Sequence, residues 1–115
     1  MGGPPQPFAI DVAEQGDATV VHVVGELDLA VAPELEGTLL PLLEAGKHVV
    51  LDLRELDFLD SSGVRALVHA HNQAEDGPGR FSVVCVPGGD GSVWRVLEVS
   101  GVDQALDVLD APPAG

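Results

Sequence analysis

The sequence predicts a single α/β domain built on a mixed β-sheet of four to five strands. Three observations predict it. Val-rich segments at 18–24, 48–53 and 81–86 have the length and branched content of buried strands. Leu and Val recur at helical spacing in the segments between and after them. Following an opening pair of strands the two patterns alternate, an order that produces a mostly parallel or mixed sheet. The 115 residues suit one domain of ordinary size. Hydrophobic residues make up 45% and aromatics only 3%, so the core is built from Val, Leu and Ala rather than rings.

Phe8, Ile10 and Val12 fall on one face of an alternating segment, which reads as a strand with one buried side. Gln15-Gly16-Asp17 is a turn, and residues 18–24 are apolar on both faces, so the second strand is central. The short turn makes the two an antiparallel hairpin. Gly25-Glu26-Leu27-Asp28 ends the second strand. Leu35, Leu39, Leu42 and Leu43 then mark an amphipathic helix, with Pro33 suited to its first turn and Gly46 to its end. Pro41 removes the bond to the Gly37 carbonyl, so a bend or an early end is expected there. His48–Leu53 is a buried strand. Residues 54–60 form an Asp-rich loop with Phe58 and Leu59 pointing inward.

A second helix opens at Asp60-Ser61-Ser62, with Asp60 or Ser61 as its N-cap and Val64, Leu67, Val68 and His71 on one face. Glu75–Gly79 breaks it. Phe81–Val86 is a further buried strand, and residues 87–91 are a flexible turn. Ser92 caps a short helix carrying Val93, Val96 and Leu97, which Gly101 ends with Val102 beyond it. Leu106–Leu109 forms a short last strand. Residues 1–6 and 111–115 are rich in Gly, Pro and Ala and are expected to be disordered tails, leaving 7–110 as the domain. In sheets of this kind functional loops gather at the carboxyl ends of the strands. Segments 25–28 and 57–63 stand there; both are acidic and both lead into helices.

Charge excludes several classes of function. Five Lys and Arg against nineteen Asp and Glu give a formal net charge of −14. Such a chain is repelled by phosphate backbones and by anionic lipid, so neither nucleic acid nor membrane is an expected partner. Apolar runs such as Val20–Val24 are too short to span a bilayer. The first seven residues have no basic flank or apolar stretch, and Gln6 stands where a myristoylation signal has Ser or Thr. The single Cys85 lies in an apolar run. It is expected to be an inert buried thiol of a reduced, cytoplasmic protein.

Few arrangements of residues suit chemistry. Gly88-Gly89-Asp90-Gly91 lacks the spacing of a phosphate loop and carries an Asp that repels phosphate. Ser61 and Ser62 follow Leu59-Asp60 rather than standing in a nucleophile elbow, and His69 and His71, two apart on a helix, do not face each other. Asp28, Asp52, Asp57 and Asp60 suggest a divalent-metal site, but Asp-rich loops are commonly solvated turns and caps, so no metal is expected. Asp60-Ser61-Ser62-Gly63 remains. It reads either as a plain capping element, with Gly63 allowing close packing, or as a phosphate acceptor whose new charge is stabilised by the helix terminus.

Gly25-Glu26-Leu27-Asp28, Val49–Leu53 and Leu56-Asp57-Phe58-Leu59-Asp60-Ser61-Ser62-Gly63-Val64, in this order, resemble the STAS domain, and among its members the stand-alone bacterial anti-sigma factor antagonists. Residues 92–102 resemble the third helix of that family, and the likeness runs from Phe8 to Leu109. The resemblance implies helices packed mainly on one face of the sheet, no catalytic activity and no cofactor. It implies that Ser61 is phosphorylated by an anti-sigma factor with serine kinase activity. The unphosphorylated form binds that partner so that sigma factor is released, and a serine phosphatase restores it. Asp28 then lies beside the acceptor, and Asp60, Ser61, Ser62, Gly63, Val64 and Arg65 form the partner-binding segment of a monomer or weak dimer. Two departures stand out: Pro41 inside the first helix, and Val64-Arg65 where Leu-Gly is commoner. The alternatives are a scaffold or accessory subunit of a transport or signalling complex with Ser61 unmodified, and a hydrolase using Ser61, for which no positioned His is evident.

Overall fold

The hairpin expected at the N-terminal end is present. β1 (Ala9–Gln15) pairs antiparallel with β2 (Ala18–Leu27). The remaining elements are α1 (Ala32–Glu44), β3 (His48–Asp52), β4 (Leu56–Leu59), α2 (Ser61–Asp76), β5 (Arg80–Val84), α3 (Ser92–Ser100), α4 (Val102–Ala105) and β6 (Asp107–Leu109). The structure, a computed structural model, describes residues 7–86 and 92–113, with only the backbone at Ser92. The expected turn at 87–91, the tail at 1–6, the last two residues of the other tail and a capping side chain at Ser92 lie outside the described residues. Residues 111–113 are irregular, with Pro112 and Pro113 half-buried.

The strands form a six-stranded sheet in the order β1-β2-β3-β5-β6, with β4 also paired to β2. Every pairing except β1 with β2 is parallel. The sheet therefore exceeds the expected four to five strands, and the addition is β4, where a loop was expected. A four-residue strand interrupted by Asp57 shows no usable alternation in sequence. It forms because β2 continues past Val24 and offers it a partner. Its orientation corrects a second expectation: Leu56 and Leu59 are buried, whereas Phe58 is 41% exposed. The four-residue helix α4 has no sequence signal either.

All four helices lie on one face of the sheet. Their buried side chains, among them Leu35, Leu39, Leu43, Leu67, Val93 and Leu97, share one core with Val21, Val23, Val49, Leu51 and Val83 of the strands. The opposite face carries a smaller cluster of Ala18, Val20, Val50 and Val84. Phe8, just before the edge strand, and Ile10 within it pack on the main core, but Val12, expected beside them, is 50% exposed. α2 is turned from the face that hydropathy suggests. Gly63, Ala66, Leu67 and Ala70 are buried, while Val64, Val68 and His71 are half-buried. Small side chains form the contact because they let the helix approach the sheet closely, a preference that apolar periodicity does not register. α1 continues through Pro41 to Glu44, so the early end does not occur. Pro41 stands in the last turn, and the carbonyl left without its bond belongs to the exposed Gly37.

On the sheet's open face a polar chain is centred on the buried Ser82. The Ser82 hydroxyl, in a residue 1% exposed, donates to Asp107 Oδ2 at 2.6 Å and lies 3.0 Å from His48 Nε2. Its one proton is committed to Asp107, so His48 donates from Nε2. This chain ties β3, β5 and the short β6 together. Burial, and then the Arg80 charge, hold His48 below the usual histidine value against the pull of Asp107. Folding thus favours the neutral ring. Its contribution is complete above the unfolded value of 6.5 and is lost as pH falls through the lower folded value. Chemical unfolding at pH 7 and pH 5 should show a loss of stability on acidification that His48→Gln reduces. Ser82→Ala, which removes both bonds while leaving the half-buried His48 and the exposed Asp107 within reach of water, should cost about 0.5–1.5 kcal/mol at pH 7.

Candidate functional site

The site is built where β2 changes partner. Over Ala18–His22 this strand pairs with β3, and over Gly25–Leu27 it pairs with β4. The register shifts between Gly25 and Glu26, and Gly25 has φ 94°, a left-handed conformation that glycine adopts without the steric penalty of a side chain. Beyond the bulge Leu27 pairs with Leu59, and the Asp60 N–H donates to the Leu27 carbonyl at 3.3 Å. Asp28 therefore occupies the register position beside Asp60. Its carboxylate accepts from the Ala30 N–H at 3.0 Å, and its carbonyl accepts from Val31 and Ala32, folding the turn that opens α1.

Asp60 is the N-cap of α2. Its Oδ1 accepts from the N–H groups of Ser62 at 2.9 Å and Gly63 at 3.1 Å. With the cap supplied by Asp60, the Ser61 hydroxyl is not needed for it, and Ser61 is exposed while Ser62 is half-buried. One expectation changes here. The terminal N–H groups of Ser62 and Gly63 are already committed to a carboxylate, so they are not free to receive a phosphate. Gly63 lies against the end of β2: a Cβ there would stand 2.3 Å from Leu59 Cδ1 and 2.9 Å from Leu27 Cγ. The expected close packing is real, and it seats the start of α2 on the two paired strand ends.

Beside Ser61 runs a groove of about 400 Å³ between α2 and α3, lined by Ser61, Val64, Arg95, Val96, Val99 and Ser100. Its walls are mostly apolar, and Val99 is 76% exposed. Of the residues expected at the site, the structure brings Ser61 and Val64 onto this groove, engages Asp60 in the cap of α2 and Asp28 in the turn before α1, and leaves Arg65 exposed on α2. The α3 wall was missed. Val93 and Leu97 define the buried side of that helix, so Val96 and Val99 were the available signal, being apolar residues that stray from the core stripe.

The other candidates are structurally committed. Asp52 is buried and takes two side-chain bonds from Arg54, at 3.0 and 2.8 Å. Burial pushes its carboxyl upward, but the Arg54 bonds and charge outweigh this and hold it below the usual carboxylate range. Among the described residues no group of three or more His, Cys, Asp or Glu is placed to hold a metal ion. Cys85 is buried, and burial raises its thiol pKa, which favours the unreactive form. His69 reaches Glu36 on α1. Gly63→Ala should cost about 1–3 kcal/mol through overpacking against Leu27 and Leu59. A denaturation midpoint equal to wild type would show that α2 moves aside freely.

Comparison with known proteins agrees with this architecture. A family model described as Mlab, STAS domain matches residues 10–110. The anti-sigma-B factor antagonist of Bacillus subtilis (strain 168) is 26% identical over 106 residues, covering 86% of this chain and 88% of that protein. The crystal structure of an anti-sigma factor antagonist from Mycobacterium paratuberculosis superposes with a TM-score of 0.79 at 25% identity, covering 91% of this chain and 87% of the other. The anti-sigma factor antagonist SpoIIAA in its unphosphorylated form shares the fold, with a TM-score of 0.66 at 18% identity over 92% of this chain and 90% of the other. With the strand order, the seated helix and a family match over nearly the whole domain in agreement, this chain belongs to the STAS domain family.

Proposed function

We propose that this protein is an anti-sigma factor antagonist. In this reading the unphosphorylated form binds an anti-sigma factor with serine kinase activity, sigma factor is released, and phosphorylation of Ser61 ends the interaction until a serine phosphatase reverses it. The carrying observation is the state of Ser61: an exposed hydroxyl, free of capping duty, on the rim of an apolar groove. The relative in Bacillus subtilis, named an anti-sigma-B factor antagonist, supports the same reading. No described helix is long and apolar enough to cross a membrane.

The chemistry asked of the chain is limited to presenting a nucleophile. The γ-phosphoryl group passes from ATP to Ser61 Oγ, the hydroxyl proton goes to a base on the kinase, and ADP leaves. Ser61 presents its oxygen to a partner's active site, and Val64, Val96 and Val99 offer apolar surface next to it. The phosphate then adds about −1.5 to −2 charge at pH 7 to a surface that a partner had desolvated around a neutral hydroxyl. A cost of a few kcal/mol corresponds to a loss of affinity of roughly a hundredfold, since about 1.4 kcal/mol is tenfold.

Incubation with the kinase partner and ATP should add one phosphate, mapped by fragmentation to Ser61 and not Ser62. In titration calorimetry Ser61→Ala should bind the anti-sigma factor as wild type does, and Ser61→Asp should bind roughly tenfold to a hundredfold more weakly. Equal affinities, or a phosphate on Ser62, would sink the assignment. Asp28→Ala removes one side-chain hydrogen bond at an accessible turn, so its stability should fall by less than about 1 kcal/mol while phosphorylation or partner binding is impaired. Normal phosphorylation and binding in a strongly destabilised variant would make Asp28 a purely structural residue.

A further inference from the structure

We infer that, once Ser61 carries a phosphate, Arg95 of α3 and Arg65 of α2 clamp it across the groove between these helices, so that the modification covers the apolar contact surface with the chain's own arginines. The inference rests on the phosphorylation proposed above and names what receives the new charge.

Three observations lead to it. Two donors at the start of α2 are taken, because Asp60 Oδ1 already holds the N–H groups of Ser62 and Gly63. The surroundings repel an anion: Asp60 directly precedes the acceptor, and Asp28 stands at the register position beside Asp60. The chain's cations are scarce and mostly placed elsewhere. Arg54 is bound to Asp52, Lys47 is 3.8 Å from Glu14, and Arg80 begins β5 near the other end of α2. Arg65 and Arg95 have no ion pair among the described residues, and both are exposed. Arg65 lies four residues after Ser61 on the same helix, the spacing at which an acidic group meets a basic one. Arg95 lines the same groove as Ser61 from the opposite wall.

A guanidinium matches phosphate oxygens with paired donors and binds them more strongly than it binds a neutral hydroxyl. Before modification the arginines have no reason to cross the groove, and Val64, Val96 and Val99 stay accessible to a partner. After modification the phosphate draws Arg95 over these valines. The switch then needs no change of fold, only the recruitment of one side chain from α3 and one from α2. Arg65 stands where the resemblance expects glycine, so this half of the clamp is particular to this sequence.

Phosphoserine installed at position 61 during translation makes the test independent of any kinase. Its second ionisation, ordinarily at pKa about 6, can be followed by phosphorus NMR between about pH 4 and pH 8, a range of about two units on either side. In the otherwise wild-type chain it should titrate roughly half a unit or more below the value in the Arg65→Gln, Arg95→Gln double variant, where the neighbouring carboxylates act on it unopposed. Arg95→Gln alone should recover a large part of that difference, and Arg65→Gln alone a smaller part. Both residues are exposed, and circular dichroism should show every variant folded. Identical titration in the wild-type background and in Arg95→Gln overturns the clamp, as does a shift that Arg65→Gln alone abolishes. Either failure leaves kinase transfer and anti-sigma factor binding measurable on the unmodified chain. Conversely, a failure of any kinase to modify Ser61 leaves the titration of the installed phosphate unaffected.

Discussion

The surroundings of Ser61 depend on β2 leaving β3 and taking β4 as its partner at Gly25. That exchange needs a residue that tolerates φ 94°, and it lets one strand serve two neighbours in succession. Past the bulge, Leu27 and Leu59 lie side by side and form the floor on which Gly63 rests. A longer side chain at position 63 would push α2 off that floor. The backbone conformation at Gly25 and the missing side chain at Gly63 together decide where the Ser61 hydroxyl is presented.

Stability and presentation are divided between adjacent residues. Asp60 satisfies the first turn of α2, a contribution of about 0.5–2 kcal/mol for a cap of this kind. Ser61 is thereby relieved of a structural task and stands exposed. The same division appears at Asp28, whose carboxylate and carbonyl hold the turn into α1 while its position places it beside the cap of α2. Acidic side chains that look like a ligand cluster in sequence are thus engaged one by one, in a cap, a turn and a buried pair with Arg54.

With a net charge of −14 the placement of each cation carries weight. Arg54 neutralises Asp52 at the edge of the sheet's open face, where a lone buried carboxylate would be costly. The polar chain from His48 through Ser82 to Asp107 does similar work on that face without a full ion pair. On the opposite, helical side the groove next to Ser61 has apolar walls and one arginine, a composition suited to contact with a partner rather than to catalysis.

The alternation of apolar segments was enough to determine the α/β class, the hairpin, the three main helices and the central strands, because burial on two faces and helical periodicity leave direct marks in composition. The acceptor segment was legible for a local reason: Asp60, Ser61, Ser62 and Gly63 form a capping unit whose bonds span no more than three residues. Tertiary structure alone decided the rest. β4 exists because β2 is long enough to pair with it, and no alternation within four residues announces that. Phe58 faces outward and α2 turns its small residues inward because closeness to the sheet, not hydropathy, selects the buried face. The groove is assembled from residues thirty or more positions apart, so Arg95, Val96 and Val99 acquire their place beside Ser61 only when α2 and α3 meet over the sheet.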